Sequence, residues 1–259
     1  MKILLTGHRG FIGSRLLTAL RDRGDDVATY EYDDGPRPGV MDFEWVIHAG
    51  AISSTTEKDI DKVLRQNYEF SMDLYDECKT FGVNLQYSSS ASVYGLNKEF
   101  CENSPLDPRT PYAWSKYLFE RYVKQHHHDS PIVQGFRYFN VWAWEGEEHK
   151  GNQASPFAQF KKQAIETGKI KLFENSENYR RDFVHVKSIV DYHLKFLESS
   201  RSGIFNMGTG KTMSFYDVAD MVAEEYHAEI EIIPMPEILK ASYQEYTCAD
   251  MRKTNEVIL

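Results

Sequence analysis

Tyr112 and Lys116 stand four residues apart in Tyr112-Ala113-Trp114-Ser115-Lys116, within a segment whose pattern predicts a helix from Pro111 to His126. At that spacing a phenol and an ammonium share one helix face. A neighbouring cation favours the phenolate and brings the phenol pKa down, which makes a proton carrier near neutral pH. Alone, Tyr-x-x-x-Lys is common and carries no information. Here it follows Ser88-Ser89-Ser90-Ala91-Ser92, a serine run at the end of the strand Asn84–Tyr87. Ser90 is therefore a candidate to hydrogen-bond the substrate oxygen that Tyr112 protonates or deprotonates.

A second constellation opens the chain. The apolar run Ile3-Leu4-Leu5 leads into Thr6-Gly7-His8-Arg9-Gly10-Phe11-Ile12-Gly13, and Leu16, Leu17 and Leu20 then recur at helical spacing between Ser14 and Arg23. Gly24 breaks the helix, and Val27-Ala28-Thr29-Tyr30 reads as a second strand ending at Glu31. Strand, glycine turn, helix, strand and acid form a mononucleotide-binding unit. The glycines let the backbone approach a pyrophosphate, the helix N-terminus faces that anion, and Glu31 accepts hydrogen bonds from the ribose hydroxyls.

These residues need a sheet to hold them. A chain of 259 residues, 41 % hydrophobic and 27 % charged, can bury a large core in one domain with a smaller lobe. Strand signals at Trp45–His48, Asn84–Tyr87, Val133–Phe139, Phe183–Val186, Gly203–Gly208 and Glu229–Ile233 alternate with helical ones at 57–81, 111–126, 155–168, 187–198 and 215–226. That alternation predicts an α/β fold, a Rossmann-type doubly wound parallel sheet with a smaller C-terminal substrate-binding lobe, with ligands beyond the carboxyl ends of the strands. Residues 1–141 and 182–205 are expected to form the dinucleotide-binding domain, and 142–181 with 206–259 the lobe. The segment between Glu31 and His48 is short for the helix and strand that such a sheet usually places there.

Net charge −9 argues against a nucleic-acid partner. No apolar run reaches the roughly 18 residues of a membrane span, and no signal peptide is expected before the first strand. Three scattered cysteines without metal spacing suit a reducing cytoplasm, which is the expected location. His126-His127-His128 reads as a solvated helix end, so no metal site is expected.

At the site residues the chain resembles the extended short-chain dehydrogenase/reductases. The resemblance is carried by the Gly7–Gly13 turn, His48-Ala49-Gly50-Ala51, Asn67, the serine run with Tyr94-Gly95, and Tyr112 with Lys116. Downstream it is similar to the ADP-L-glycero-D-manno-heptose 6-epimerases, on Phe136-Arg137-Tyr138-Phe139-Asn140-Val141, His149-Lys150-Gly151, Ala154-Ser155, Leu172-Phe173-Glu174, Ser176-Glu177-Asn178, Arg181-Asp182-Phe183-Val184, Gly203-Ile204-Phe205-Asn206 and Tyr243-Gln244 with Thr247 and Ala249-Asp250. The likeness implies epimerisation of a nucleotide-diphosphate sugar, by transient hydride transfer to a nicotinamide and back. Tyr112 and Lys150 take the places of the two acid–base residues. A carbonyl that offers both faces to one hydride needs a proton partner in each orientation.

The same resemblance implies cofactor contacts at Gly7, Arg9, Gly10, Phe11, Ile12, Gly13, Glu31, His48, Ala49, Gly50, Ala51, Asn67, Ser88, Tyr112, Lys116 and Val141. Substrate contacts fall on Ser90, Asn140, Asn152, Gln159, Phe173, Glu174, Asn175, Ser176, Arg181 and Tyr243. Arg181 is the natural diphosphate partner, because its planar fork matches phosphate oxygens.

Asn152 and Gln159 stand where the family usually has serine and histidine, and Trp142-Ala143-Trp144 replaces Tyr-Gly-Pro. NAD is the expected cofactor, since Glu31 would repel a 2′-phosphate. Arg9, which would meet one, leaves NADP as the alternative. A homo-oligomer is expected. Competing readings are a nucleotide-sugar 4-epimerase, a 4,6-dehydratase and a non-catalytic nucleotide-binding protein. The first remains open on the same scaffold. A dehydratase would carry an Asp-Glu pair after Ser90, which is absent, and a protein that had lost turnover would be expected to have lost Tyr112, Lys116 or Ser90.

Overall fold

The structure, a computed structural model, describes residues 1–237 and 244–259. In chain order its elements are β1 (Lys2–Thr6), α1 (Phe11–Asp22), β2 (Asp26–Tyr30), β3 (Trp45–His48), α2 (Ile60–Val63), a π-helical turn (Leu64–Glu69), α3 (Phe70–Phe81), β4 (Asn84–Ser90), α4 (Pro111–His126) and β5 (Val133–Tyr138). Next come β6 (Asn140–Trp142), a 3₁₀ stretch (Glu148–Gln153), α5 (Pro156–Thr167), β7 (Lys169–Phe173), β8 (Arg180–Arg181), β9 (Phe183–His185) and α6 (Val186–Leu197). The last are β10 (Gly203–Met207), β11 (Met213–Ser214), α7 (Phe215–Tyr226), β12 (Glu229–Ile233), β13 (Tyr246–Thr247) and α8 (Arg252–Ile258).

The chain divides into two compact units, the first holding residues 1–138, 187–207 and 252–259. Its six strands form one parallel sheet in the order β10-β5-β4-β3-β1-β2. Side chains alternate across it as strand geometry requires. Leu4, Val46, Leu85, Tyr87 and Val133 pack on one face with Leu74, Tyr75, Cys78, Phe119 and Val123 of α3 and α4. Ile3, Leu5, Trp45 and Ile47 pack on the other with Leu16 and Leu20 of α1 and Val190 and Leu197 of α6. Both faces are covered, so the loops after the strands are what remains to build a site. β2 is the outer edge, and residues 31–44 form no helix or strand. Instead Glu77 of α3 holds that segment, pairing with Arg37 and accepting the Val40 N–H at 2.9 Å. The final helix α8, expected with the lobe, belongs to the first unit.

The second unit holds residues 139–186 and 208–251. α5 and α7 pack over the parallel pair β7–β12, around Phe157, Phe160, Ile170, Leu172, Val218 and Val222. Trp142 stacks on Phe157 with centroids 3.7 Å apart, and Trp144 meets the same ring edge-on. The two tryptophans are thus half-buried and pack against the core of this unit. β6 pairs with β9, and β11-β8-β13 form a small sheet. Strands of two or three residues are too short to show a period.

The fully buried Asp182 gathers the loops of this unit. Its Oδ1 accepts from the Thr209 N–H and hydroxyl at 2.8 and 2.7 Å, and its Oδ2 from the N–H groups of Gly210 and Ala249 at 2.9 and 3.1 Å. Asp182→Ala leaves these buried donors unmatched and should cost about 3 kcal/mol of stability, read by chemical denaturation.

Candidate active site

The glycine turn closes backbone on backbone. Gly7 sits at φ +77°, and a Cβ there would stand 2.3 Å from the Gly50 nitrogen; one on Gly13 would stand 2.0 Å from the Gly7 carbonyl oxygen. No side chain caps α1 at Gly10, so the first-turn N–H groups and the positive end of the helix dipole stay available to an anion. Beside the turn lies a cavity of about 180 Å³ whose lining includes Gly7, Tyr30, Glu31, Gly50, Ile52 and Phe70. Glu31 Oε1 accepts the Arg9 N–H at 2.6 Å and lies 3.2 Å from His8 Nδ1, while its Oε2 has no partner among the described residues. These groups fit a dinucleotide: a close backbone approach for the pyrophosphate and a carboxylate oxygen for the ribose. Arg9 turns its guanidinium to Asp34 at 2.6 Å, with Glu31 and Asp33 beside it. That acidic company suits a free 2′-hydroxyl better than a 2′-phosphate.

Behind the turn runs a buried polar chain. Ser71 Oγ donates to the Asn67 carbonyl at 2.6 Å, so it accepts from His48 Nε2 at 2.9 Å, and His48 Nδ1 accepts from the Thr6 hydroxyl at 2.6 Å. Burial above all, with Lys116 and Arg37 adding, holds the His48 pKa down to about 3, so the ring is neutral. The Asn67 amide is engaged throughout, accepting the Ile52 N–H at 2.8 Å and donating to the Ile52 carbonyl at 2.9 Å and to Ser115 Oγ at 3.2 Å. Ser115 Oγ in turn donates to the Tyr112 carbonyl at 2.7 Å.

Tyr112 lies in the first turn of α4, where Thr110 accepts the Ala113 N–H and Pro111 fixes the helix start. Ser90 Oγ accepts the Ser92 N–H at 3.1 Å, which leaves its own proton for the neighbouring Tyr112 phenol. Lys116 is buried, with its ammonium 5.8 Å from the Tyr112 ring centroid. The structure corrects the expected pKa depression of Tyr112. Burial raises that pKa, and it is the Ser90 hydrogen bond, not Lys116, that opposes the rise. Lys116 is itself brought down to about 8 by burial, against the pull of Glu120.

Ser88 faces Tyr138 Oη at 3.1 Å, and Tyr138 Oη lies 2.6 Å from His193 Nε2. His193 Nδ1 lies 2.7 Å from Gln86 Oε1, which can only accept, so Nε2 is the acceptor for the Tyr138 proton. The sequence pattern does not single out Tyr138 and His193. The i, i+2 spacing of Ser88 and Ser90 beside the cross-strand Tyr138 is the signal that would have found them.

In the second unit, Lys150 donates to Glu147 Oε2 at 2.9 Å. Glu147 is buried and also accepts from the Ala143 N–H and from both donors of Ser155. Burial works against its charge, but Lys150 and Ser155 outweigh it and hold the carboxyl below its ordinary value. The sequence pattern assigns Glu147 no role. A separate cavity of about 360 Å³ includes Gln159, Phe160, Phe173, Ser176, Tyr179 and Phe215 in its lining. Ser176 Oγ is buried there without a partner among the described residues. Arg181 lies over the Phe215 ring at 5.5 Å and donates to the carbonyls of Arg180 and Gln244. Glu174 and Asn175 sit in the turn after β7, Asn175 at φ +60°, and Asn140 and Val141 lie in β6. Tyr243 and the side chain of Asn152 lie outside the described residues.

Gly13→Ala forces a methyl onto a carbonyl that cannot yield. Dinucleotide affinity, measured by calorimetry, should fall about 100-fold, or ~2.8 kcal/mol, with the fold retained.

Solved structures share this architecture. The ADP-L-glycero-D-manno-heptose-6-epimerase of Helicobacter pylori is 23 % identical with a TM-score of 0.86, over 99 % of this chain and 89 % of that one. A UDP-N-acetylglucosamine 4-epimerase from Methanobrevibacter ruminantium, solved with UDP-N-acetylmuramic acid, is 22 % identical with a TM-score of 0.87, over 100 % and 92 %. The UDP-glucose 4-epimerase of Thermus thermophilus, solved with NAD, is 26 % identical with a TM-score of 0.80, over 99 % and 92 %. Among the described residues no helix is long and apolar enough to cross a membrane. A family model matches residues 39–208, well over half the chain and the span from the loop after β2 through the serine run and α4 to β10, and the protein is thereby a member of the NAD dependent epimerase/dehydratase family.

Proposed function

We propose that this enzyme epimerises a nucleotide-diphosphate sugar, and that the substrate is an ADP-linked heptose inverted at C6. The observation that carries the chemistry is the cluster in which Ser90 meets the Tyr112 phenol with Lys116 beneath it. Bound NAD supplies a reversible acceptor for the sugar's carbon-bound hydrogen. Tyr112 takes the hydroxyl proton from the sugar and later returns it. Ser90 donates to the oxygen that carries charge at each stage, the tyrosine's own oxygen included, with the Lys116 ammonium 5.8 Å from the Tyr112 ring centroid.

Lys150 is the second acid–base group in this reading. Its side chain is held in place by the pairing with the buried Glu147. The cavity of the second unit suits a nucleobase: Phe173 and Phe215 supply apolar walls, and Ser176 and Gln159 offer polar contacts. Arg181 is proposed for the diphosphate, and Asn140, Asn152, Glu174, Asn175 and Tyr243 for the remainder of the substrate.

A panel of nucleotide sugars incubated with the purified protein, with product stereochemistry read by NMR, tests the class and the sugar together. Inversion at C6 of an ADP-heptose supports the reading, and turnover confined to C4 of hexoses replaces it with a 4-epimerase. Tyr112→Phe should lower kcat by about 100-fold or more while NAD binding survives. Wild-type kcat should fall as pH rises through about 8, where Lys116 loses its charge. Lys150→Met removes charge and proton but keeps apolar length. Epimerisation should be lost with NAD and nucleotide sugar still bound; intact turnover at saturation would remove Lys150 from the chemistry.

A further inference from the structure

The three consecutive serines at the end of β4 have three different partners. Ser88 faces Tyr138 and Ser90 faces Tyr112, whereas Ser89, on the opposite face, donates to Glu120 Oε1 at 2.5 Å. Glu120 follows Lys116 by one helical turn on α4. Arg137 of β5 is the register partner of Ser89, and it grips the same carboxylate in a fork, Nε to Oε1 at 2.9 Å and Nη2 to Oε2 at 2.6 Å. Its Nη1 donates to Tyr94 Oη at 2.9 Å, which donates to Asn206 Oδ1 at 2.8 Å; Asn206 is the register partner of Arg137 on β10. Ser89, Glu120, Arg137, Tyr94 and Asn206 are all buried. A row across three adjacent strands therefore meets the helix that bears Tyr112 and Lys116 at one carboxylate.

We propose that Glu120 is a positioning residue of the reaction: it fixes the register of α4 against the end of β4, and hence the Ser90–Tyr112 contact, and it sets a negative charge one turn from Lys116. This assignment rests on Tyr112 and Lys116 being the proton-transfer pair. Burying a carboxylate and a guanidinium is costly, and an apolar pair would fill the same space at no loss of stability. The arrangement makes sense when the charge is used. The ionisable or charged groups that act on Lys116 are Tyr112 and Glu120 on its own helix, the neutral His48 from β3, and Arg137 from β5 through Glu120. Of these only Glu120 stabilises the ammonium against burial.

The test is Glu120→Gln, which keeps length and an acceptor for Ser89 but removes the charge. The alkaline limb of kcat should move to lower pH by about one unit, with KM for the nucleotide sugar unchanged. The Lys116 ε-carbon, followed by NMR in lysine-labelled protein and assigned with Lys116→Met, should titrate lower by the same amount. A lowered Tm with both the limb and the Lys116 titration unmoved would make Glu120 merely structural and overturn the proposal. Should the unmatched Arg137 prevent folding, Glu120→Leu combined with Arg137→Met removes both charges. That variant should fold and bind NAD, titrate Lys116 lower, and show kcat reduced about 10-fold to 100-fold at unchanged KM. Wild-type kcat and titration in it would overturn the proposal equally. If the wild-type protein turned over no nucleotide sugar, the epimerase reading would fail, but the Lys116 titration needs no substrate and would still decide the role of Glu120.

Discussion

The buried amide of Asn67 is the joint on which the first unit depends. It sits in the one π-helical turn of the described chain, between α2 and α3, where the extra residue per turn brings its side chain inward. From there one side chain ties the loop after β3, through both polar groups of Ile52, to the first turn of α4, through Ser115. Its carbonyl anchors Ser71 and through it His48, whose other nitrogen reaches Thr6 at the end of β1. The glycine turn and the helix that bears Tyr112 are therefore parts of one hydrogen-bonded body. A buried amide with every site engaged has no alternative geometry that does not leave a polar group unmatched.

Much of this was legible in advance where a period or a cap signals itself. The Pro111–His126 and Phe215–Tyr226 helices and the Glu229–Ile233 strand lie where the pattern places them, because Thr110 and Ser214 cap helices whose apolar faces repeat cleanly. The π turn was hidden, since one extra residue inside a long helical segment barely disturbs the apolar repeat. No role for Glu120 or Arg137 was legible, because their burial together follows from cross-strand register and helix packing, which join distant segments. The Tyr112 pKa failed for a related reason. Spacing reveals a lysine neighbour, but it says nothing about how far burial raises the phenol or lowers the lysine.

The second unit solves a different problem. It is small, its sheets have two or three strands, and two buried carboxylates gather loops that regular structure does not. Asp182 collects the loop from Thr209 to Gly210 and the chain at Ala249, while Glu147 collects Ala143, Lys150 and Ser155. Each carboxylate offers several acceptor sites, so a single side chain can satisfy donors from three stretches of backbone. The paired tryptophans around Phe157 add an aromatic wall to the core of this unit.

The shortened segment after Glu31 has a consequence for how such chains can change length. β2 is the last strand of the sheet, bonded only to β1, so a missing crossover beyond it severs no ladder that remains. A deletion of the same size between β3 and β4 would break pairings on both sides and uncover the core beneath α3. Trimming is thus tolerated at the rim and forbidden in the middle. The rim here carries Glu31, so evolutionary gain or loss of strands at this edge reshapes the wall of the cavity beside the glycine turn without touching Tyr112 or the sheet that holds it.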